Sequence, residues 1–209
     1  IIIEKKPNSM DIVWPDSSLL ICTNHFQGPD FSGQESNMKN QENNATGYRY
    51  QRLQELIKTH GNLEPTGVAE ILRDKNGLNN VPIGYGNEKA INQLLAHHSV
   101  IFEPEKLIMY ISTAPNVMGT FLAYNLNSIF RNEYLPVAGI PIDNPKLSIP
   151  PDSFINSTDY KNYIHYKSLT DTVYAAIDEN AKLSEKMLNS FKNLNPDYFR
   201  TYLILGDYY

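Results

Sequence analysis

Leu19-Leu20-Ile21-Cys22-Thr23-Asn24-His25-Phe26 passes from a continuous apolar run straight into a polar cluster. A short unbroken apolar run is the pattern of a strand buried on both faces. The stretch 27–44 that follows is rich in Gly, Ser, Asn and Gln and reads as a loop of about 18 residues. That is longer than a compact domain carries without a functional reason. A strand that ends in Thr23-Asn24-His25-Phe26 and opens into such a loop sets polar side chains at the rim of a sheet.

Upstream, Ile1 to Ile3 is an apolar β-branched run, and Pro7-Asn8-Ser9 is turn chemistry. Met10, Ile12 and Trp14 alternate with Asp11 and Val13 before Pro15-Asp16 turns the chain again. With 19–23, these segments predict a meander of antiparallel strands. Ile1 opens inside an apolar run with no turn before it, so the chain is expected to begin mid-strand, at a cut or processed end.

Downstream, Thr46 is placed to cap a helix running to about Lys58, with Tyr50, Leu53, Leu56 and Ile57 on one face. His60-Gly61 ends it, and a second helix is expected over Pro65–Arg73. Residues 74–87 read as loop. A hairpin follows: His98 to Phe102, a turn at Glu103-Pro104-Glu105-Lys106, then Leu107 to Thr113. The proline-rich stretch from Pro136 to Pro151 reads as an extended linker. Beyond it Leu169, Val173, Ala176, Ile177, Leu183, Met187, Leu188 and Phe191 recur near helical spacing, and a last helix starts near Pro196. The order of elements predicts an α+β fold, with a domain over 1–135, the linker 136–151 and a helical extension over 152–209.

Composition bounds the chemistry. A net charge of −5 without a basic cluster argues against nucleic acid. No apolar run approaches the roughly 18 residues of a membrane span. The single cysteine, Cys22, cannot form an intrachain disulfide. Compartment stays open between the cytoplasm and export. His60, His97, His98 and His165 lack acidic or cysteine neighbours at ligand spacing, so neither a metal site nor a cofactor is expected. Gly84-Tyr85-Gly86 is too short for a phosphate loop and reads as a turn. Tyr202, Leu205, Gly206 and Tyr209 match the spacing that opens a tetratricopeptide helix, and an ordinary terminal helix fits them as well.

Asn24 and Arg49 are the candidates for chemistry. A carboxamide aimed at a reacting carbonyl can stabilise an oxyanion, a contribution of about 2.7–4 kcal/mol per donor; the alternative is that Asn24 caps the loop. Helical geometry groups Arg49 with Leu53 and Leu56, facing inward, and turns Arg52 towards solvent. A cation in the first helical turn opposes the helix dipole, so Arg49 calls for a buried anionic partner, a structural ion pair or a site role. Cys22 lacks a free α-amino group and sits in the expected apolar strand, where thiol reactivity falls.

Ile21-Cys22-Thr23-Asn24-His25-Phe26, a polar loop, and then Arg49 opening a helix together resemble the acyl-coenzyme A:aminopenicillanate acyltransferase group. That group is similar to the choloylglycine hydrolases. Both belong to the N-terminal-nucleophile superfamily. Leu72-Arg73-Asp74 at a helix end, and the Ser99–Thr113 hairpin followed by Ala114-Pro115, fit the same group, so the resemblance covers about residues 1–125. It implies an αββα sandwich with an antiparallel sheet and C-terminal helices added. It further implies that Asn24 holds the oxyanion, Arg49 supports the nucleophile's surroundings, and His25 and Phe26 meet substrate.

The family's nucleophilic cysteine has no counterpart here. The expected function is therefore a portion of a cysteine amidohydrolase or acyltransferase acting on non-peptide C–N or thioester bonds. Its expected partners are an upstream chain or segment bearing the nucleophile, a small amide or thioester, and a second copy of itself. The alternatives are a non-enzymatic binding or scaffold module and a Cys22-dependent hydrolase.

Overall fold

The computed structural model describes residues 1–15, 17–131 and 142–209. They form two compact units, Ile1–Gly61 with Gly77–Val81 and Asn62–Asn76 with Pro82–Tyr209. The fold is mixed α+β, with small antiparallel sheets and helices.

In the first unit, β1 (Ile2–Lys6) and β2 (Ser9–Val13) pair as a two-stranded antiparallel hairpin, Ile2 opposite Val13 and Lys6 opposite Ser9. The expected alternation is present with its sense inverted. Glu4 and Asp11, cross-strand partners, are the buried residues, whereas Ile3, Met10 and Trp14 are exposed. Two helices complete the unit, α1 (Glu35–Asn43) and α2 (Thr46–His60), and Gly61 at φ 68° ends α2 in a conformation that favours glycine.

The second unit opens with α3 (Pro65–Leu72), which starts on Pro65 in the first turn, where a missing N–H is harmless. Strands β3 (Val100–Glu103), β4 (Ile108–Ser112) and β5 (Phe121–Asn125) follow in an antiparallel sheet of order β3-β4-β5. Ile108, Tyr110 and Ser112 bury alternate positions of β4, and Ile108 and Tyr110 share a core with Ala69, Ile101, Phe121 and Ile149. Four helices follow: α4 (Leu126–Phe130), α5 (Thr158–Asp178), α6 (Glu185–Leu194) and α7 (Phe199–Tyr208). The last three pack around Tyr166, Val173, Phe191 and Ile204, with Tyr166 stacked on Phe191 at 4.8 Å.

Arg73 ties the sheet to its flanking loops. Its guanidinium is buried and donates to the carbonyls of Val117 (3.4 Å), Gly119 (2.7 Å) and Pro150 (2.9 Å). The Leu72-Arg73-Asp74 segment is therefore a structural clasp at the end of α3.

Several expectations are corrected. Residues 19–23 form no strand: β1 and β2 pair only with each other, and the Ile21 carbonyl is met by the Gln27 side chain at 2.9 Å. Cys22 is consequently exposed. The stretch 27–44 is not all loop, because α1 occupies its second half, supported by a Lys39–Glu35 ion pair at helical spacing. Arg52 is 1% exposed, not solvent-facing, because the short 3₁₀ turn Leu78–Asn80 lies against α2. Its guanidinium meets Glu55 at 3.1 Å and Asn80 at 2.6 Å. Helical spacing places the core on one side of α2 and could not foresee this second cover. The hairpin at 100–112 gains β5, which the residue pattern did not reveal. Part of the expected linker, 136–141, lies outside the described residues; within the remainder, Ile149 exchanges two backbone hydrogen bonds with Phe121, at 3.0 and 2.9 Å.

Phe121 is fully buried, whereas Phe130 is 79% exposed. Phe121→Ala is expected to destabilise the second unit by about 3–5 kcal/mol, and Phe130→Ala to stay within roughly 0.5 kcal/mol of the parent. Urea titration followed by far-UV circular dichroism checks both.

Candidate functional site

The site grows from the grip of the β1–β2 hairpin on residues 27–30. Glu4 accepts the backbone N–H groups of Gln27 (2.7 Å) and Gly28 (3.0 Å). Asp11 accepts those of Ile12 and Asp30, each at 2.8 Å. Hydrogen bonds to an ionised acceptor are shorter and stronger than neutral ones, so two buried carboxylates hold a loop that has no ladder of its own. A Cβ at position 28 would lie 2.2 Å from Asp11 Oδ2 and 2.9 Å from Glu4 Oε2, so a larger residue would have to displace the two carboxylates.

The other side of the segment is fastened by asparagines. Asn37, buried in α1, accepts from Phe26 N at 2.9 Å and donates to the carbonyls of Phe26 (3.0 Å) and Ser32 (2.9 Å). Asn40 donates to the Asn24 carbonyl at 2.8 Å. Lys6 bonds Gln34 and lies over the rings of Phe26 and Phe31, at 5.1 and 4.8 Å.

Thr23 and His25 meet the first turn of α2. The Thr23 hydroxyl donates to the Thr46 carbonyl at 3.2 Å, and His25 Nδ1 lies 3.0 Å from both threonine hydroxyls. Thr46 is thus not the expected helix cap; its hydroxyl is turned to the 23–25 segment. The Thr46 hydroxyl in turn donates to the Thr23 hydroxyl at 3.2 Å, closing a triangle of polar groups with His25 Nδ1. Burial pushes His25 below its ordinary value of 6.5, against the opposing pull of Glu4.

Asn24 and Arg49, 25 positions apart, are in direct contact. Arg49 donates to Asn24 Oδ1 at 2.8 Å. Because a guanidinium only donates, this bond fixes the amide orientation and turns Nδ2 away from Arg49. Asn24 Nδ2 has no hydrogen-bond partner among the described residues. Burial lowers the Arg49 pKa from its ordinary value, and its Nε is buried without a partner among the described residues. The inward placement read from helical spacing is present, and its partner is a neutral amide.

These residues line a pocket of about 360 Å³ whose walls include Ile2, Cys22, Asn24, His25, Phe26 and Asn37. Asn24, His25 and Phe26 are brought together around it, while Arg49 acts on it through Asn24. Sequence reasoning missed Glu4, Asp11, Asn37 and Asn40. The acids left one signal: a carboxylate at mid-strand on each arm of a predicted hairpin, in positions that pair. The asparagines left none. Among the described residues no group of His, Cys, Asp and Glu could hold a metal ion.

Comparison with protein-family models, with curated proteins and with solved structures finds no match to this chain.

Gly28→Ala is expected to force the hairpin off the loop at a cost of about 1–3 kcal/mol, read as a lower urea midpoint. The lowered His25 value sets a pH dependence. The unfolded imidazole takes up a proton near 6.5 and the folded one only at lower pH, so the unfolded state binds more protons between them. Stability is therefore full above 6.5 and declines as pH falls through the folded value. Denaturation midpoints from pH 8 to pH 4 are expected to fall less steeply in His25→Gln than in the parent.

Proposed function

We propose that this chain supplies the oxyanion-holding portion of a cysteine N-terminal-nucleophile enzyme, an amidohydrolase or acyltransferase acting on a small amide or thioester. In this reading its elements belong to an αββα sandwich, and the nucleophile comes from a segment outside these 209 residues. The single observation that carries the proposal is the Arg49–Asn24 contact at 2.8 Å, which leaves the Asn24 NH₂ without a partner among the described residues on the wall of a pocket. A donor fixed before the reaction needs no reorganisation when charge develops on the carbonyl oxygen.

The chemistry then runs in two halves. A cysteine thiolate adds to the substrate carbonyl, and the oxygen that gains the electron pair is met by Asn24 Nδ2. Collapse of the adduct breaks the C–N or C–S bond, and the amine or thiol leaves with a proton. The acyl-enzyme transfers its acyl group to water or an amine by the reverse sequence. The apolar pocket walls, Ile2 and Phe26, offer packing for an acyl group.

Cys22 does not take the nucleophile's place in this reading. Although exposed, it carries no free α-amino group, and its Sγ is directed at the Thr23 carbonyl, 3.7 Å away. His25, the nearest base in sequence, has its Nδ1 occupied by Thr23 and Thr46.

A second reading, a non-enzymatic binding module, is favoured by a different observation. The face of the hairpin away from Glu4 and Asp11 exposes Ile3, Met10 and Trp14, with Ile1 beside them. Contiguous exposed apolar residues on a short sheet with unpaired edges suit association with another chain or a second copy.

The test uses the whole protein with its nucleophile-bearing segment and a panel of chromogenic anilides. Asn24→Ala is expected to lower kcat by about 10²–10³ with little change in KM, and Arg49→Met to give a smaller loss in the same direction. A raised KM with kcat intact would remove the oxyanion role. No turnover, together with no acyl adduct by intact mass spectrometry, would favour the binding module.

A further inference from the structure

The second unit holds a separate cleft, made of two chambers of about 280 and 480 Å³ that share Lys75, Asn76 and Tyr85 as lining residues. Its construction is specific. Asn195, buried between α6 and α7, accepts from Tyr85 N at 3.0 Å and donates to Tyr85 O at 2.9 Å. Gly84 beside it is obligatory: its φ is 80°, and a Cβ would lie 2.4 Å from the Tyr198 backbone. The Gly84-Tyr85-Gly86 segment is thus docked on the helices, and the Tyr85 hydroxyl donates to Asp159 Oδ2 at 3.1 Å. Burial and Asp159 push the Tyr85 phenol up to about 12, so it remains a donor throughout the physiological range.

The polar groups divide into committed cations and free amides. Lys75 donates to Asp152 at 2.9 Å and to the Arg73 carbonyl at 3.0 Å, and it lies over the Phe154 ring at 4.6 Å. Arg73 is held by backbone carbonyls. Neither cation is available to an anionic ligand, and Asp159 and Asp197 on the wall would repel one. The side chains of Asn76, Asn162 and Asn193, in contrast, make no hydrogen bond among the described residues. Each presents an NH₂ donor and a carbonyl acceptor, as Asp159 Oδ1 and Asp197 present acceptors.

We propose that this cleft binds a neutral, multiply hydroxylated small molecule of the sugar class. A hydroxyl group donates and accepts at once, which matches a wall of carboxamides and carboxylates better than a purely cationic or anionic ligand does. The chamber sizes fall around the lower part of the roughly 300–1,000 Å³ range of small-molecule sites. The cleft is independent of the pocket beside Asn24, and nothing in the oxyanion proposal requires it.

The experiment is a titration of the ¹⁵N-labelled chain, following the asparagine side-chain NH₂ resonances. The neutral probes are N-acetylglucosamine, methyl glucoside and cellobiose; glucosamine and glucuronate are their cationic and anionic counterparts. The expected result is a saturable shift of the Asn76, Asn162 and Asn193 amides with at least one neutral probe, while the Asn24 amide stays still. The double variant Asn162→Ala, Asn193→Ala removes groups that make no hydrogen bond among the described residues. It is expected to keep the parent fold by circular dichroism and to bind that probe at least about tenfold more weakly. Absence of a saturable shift with every neutral probe would overturn the proposal. So would tighter binding of glucosamine or glucuronate than of the neutral sugars at these amides, or unchanged affinity in the double variant.

Discussion

The arrangement of the first unit depends on two carboxylates. Glu4 and Asp11 sit opposite one another across a two-stranded hairpin, and their oxygens take up the amides of Gln27, Gly28 and Asp30. Each charged hydrogen bond contributes about 1.5–3 kcal/mol. A buried carboxylate without such donors would be strongly destabilising, so the acids and the loop amides satisfy each other or neither is stable. Everything at the site follows from this grip. The chain leaving Gly28 is directed to α1, whose Asn37 and Asn40 hold the 24–26 backbone, and from there to α2, whose Thr46 and Arg49 meet Thr23, His25 and Asn24.

The second unit uses the same physical device with the charge reversed. Arg73 serves three carbonyls from two loops, and Asn195 serves both backbone groups of Tyr85. In each case one polar side chain substitutes for a strand pairing that the loop lacks. Backbone groups removed from water must find partners, and where secondary structure is sparse the side chains provide them. This explains why so much irregular chain, including 82–98 and 113–120, packs against regular elements without joining a sheet.

The two pockets differ accordingly. The one beside Asn24 has apolar walls from Ile2 and Phe26 and one oriented amide, an arrangement suited to holding a carbonyl-bearing group. The cleft beside Tyr85 is polar, its cations are engaged internally, and the groups it presents are carboxamides and carboxylates. An apolar pocket with a single fixed donor selects by shape and by one hydrogen bond. A polar cleft with several donor–acceptor pairs selects by the pattern of hydroxyl groups it can satisfy.

What the sequence by itself determined is the local structure. Periodicity placed α2 and α3 within a few residues, because apolar spacing, Pro65 and Gly61 act over one or two turns, and it marked 169–191 as helical without showing the break between α5 and α6. Turn chemistry placed the 100–112 hairpin, and the order of Asn24 and Arg49 marked them as a pair of interest. The tertiary structure alone decided which face was buried. The hairpin alternation at 10–14 has the right period, yet the acids face inward and Met10 and Trp14 outward, since period 2 carries no sign. Arg52 became buried because residues 77–81 lie against α2, and Cys22 exposed because 19–23 joins no sheet: burial depends on what lies opposite. The contact that orients Asn24 spans 25 residues, and no local rule of spacing reaches that far.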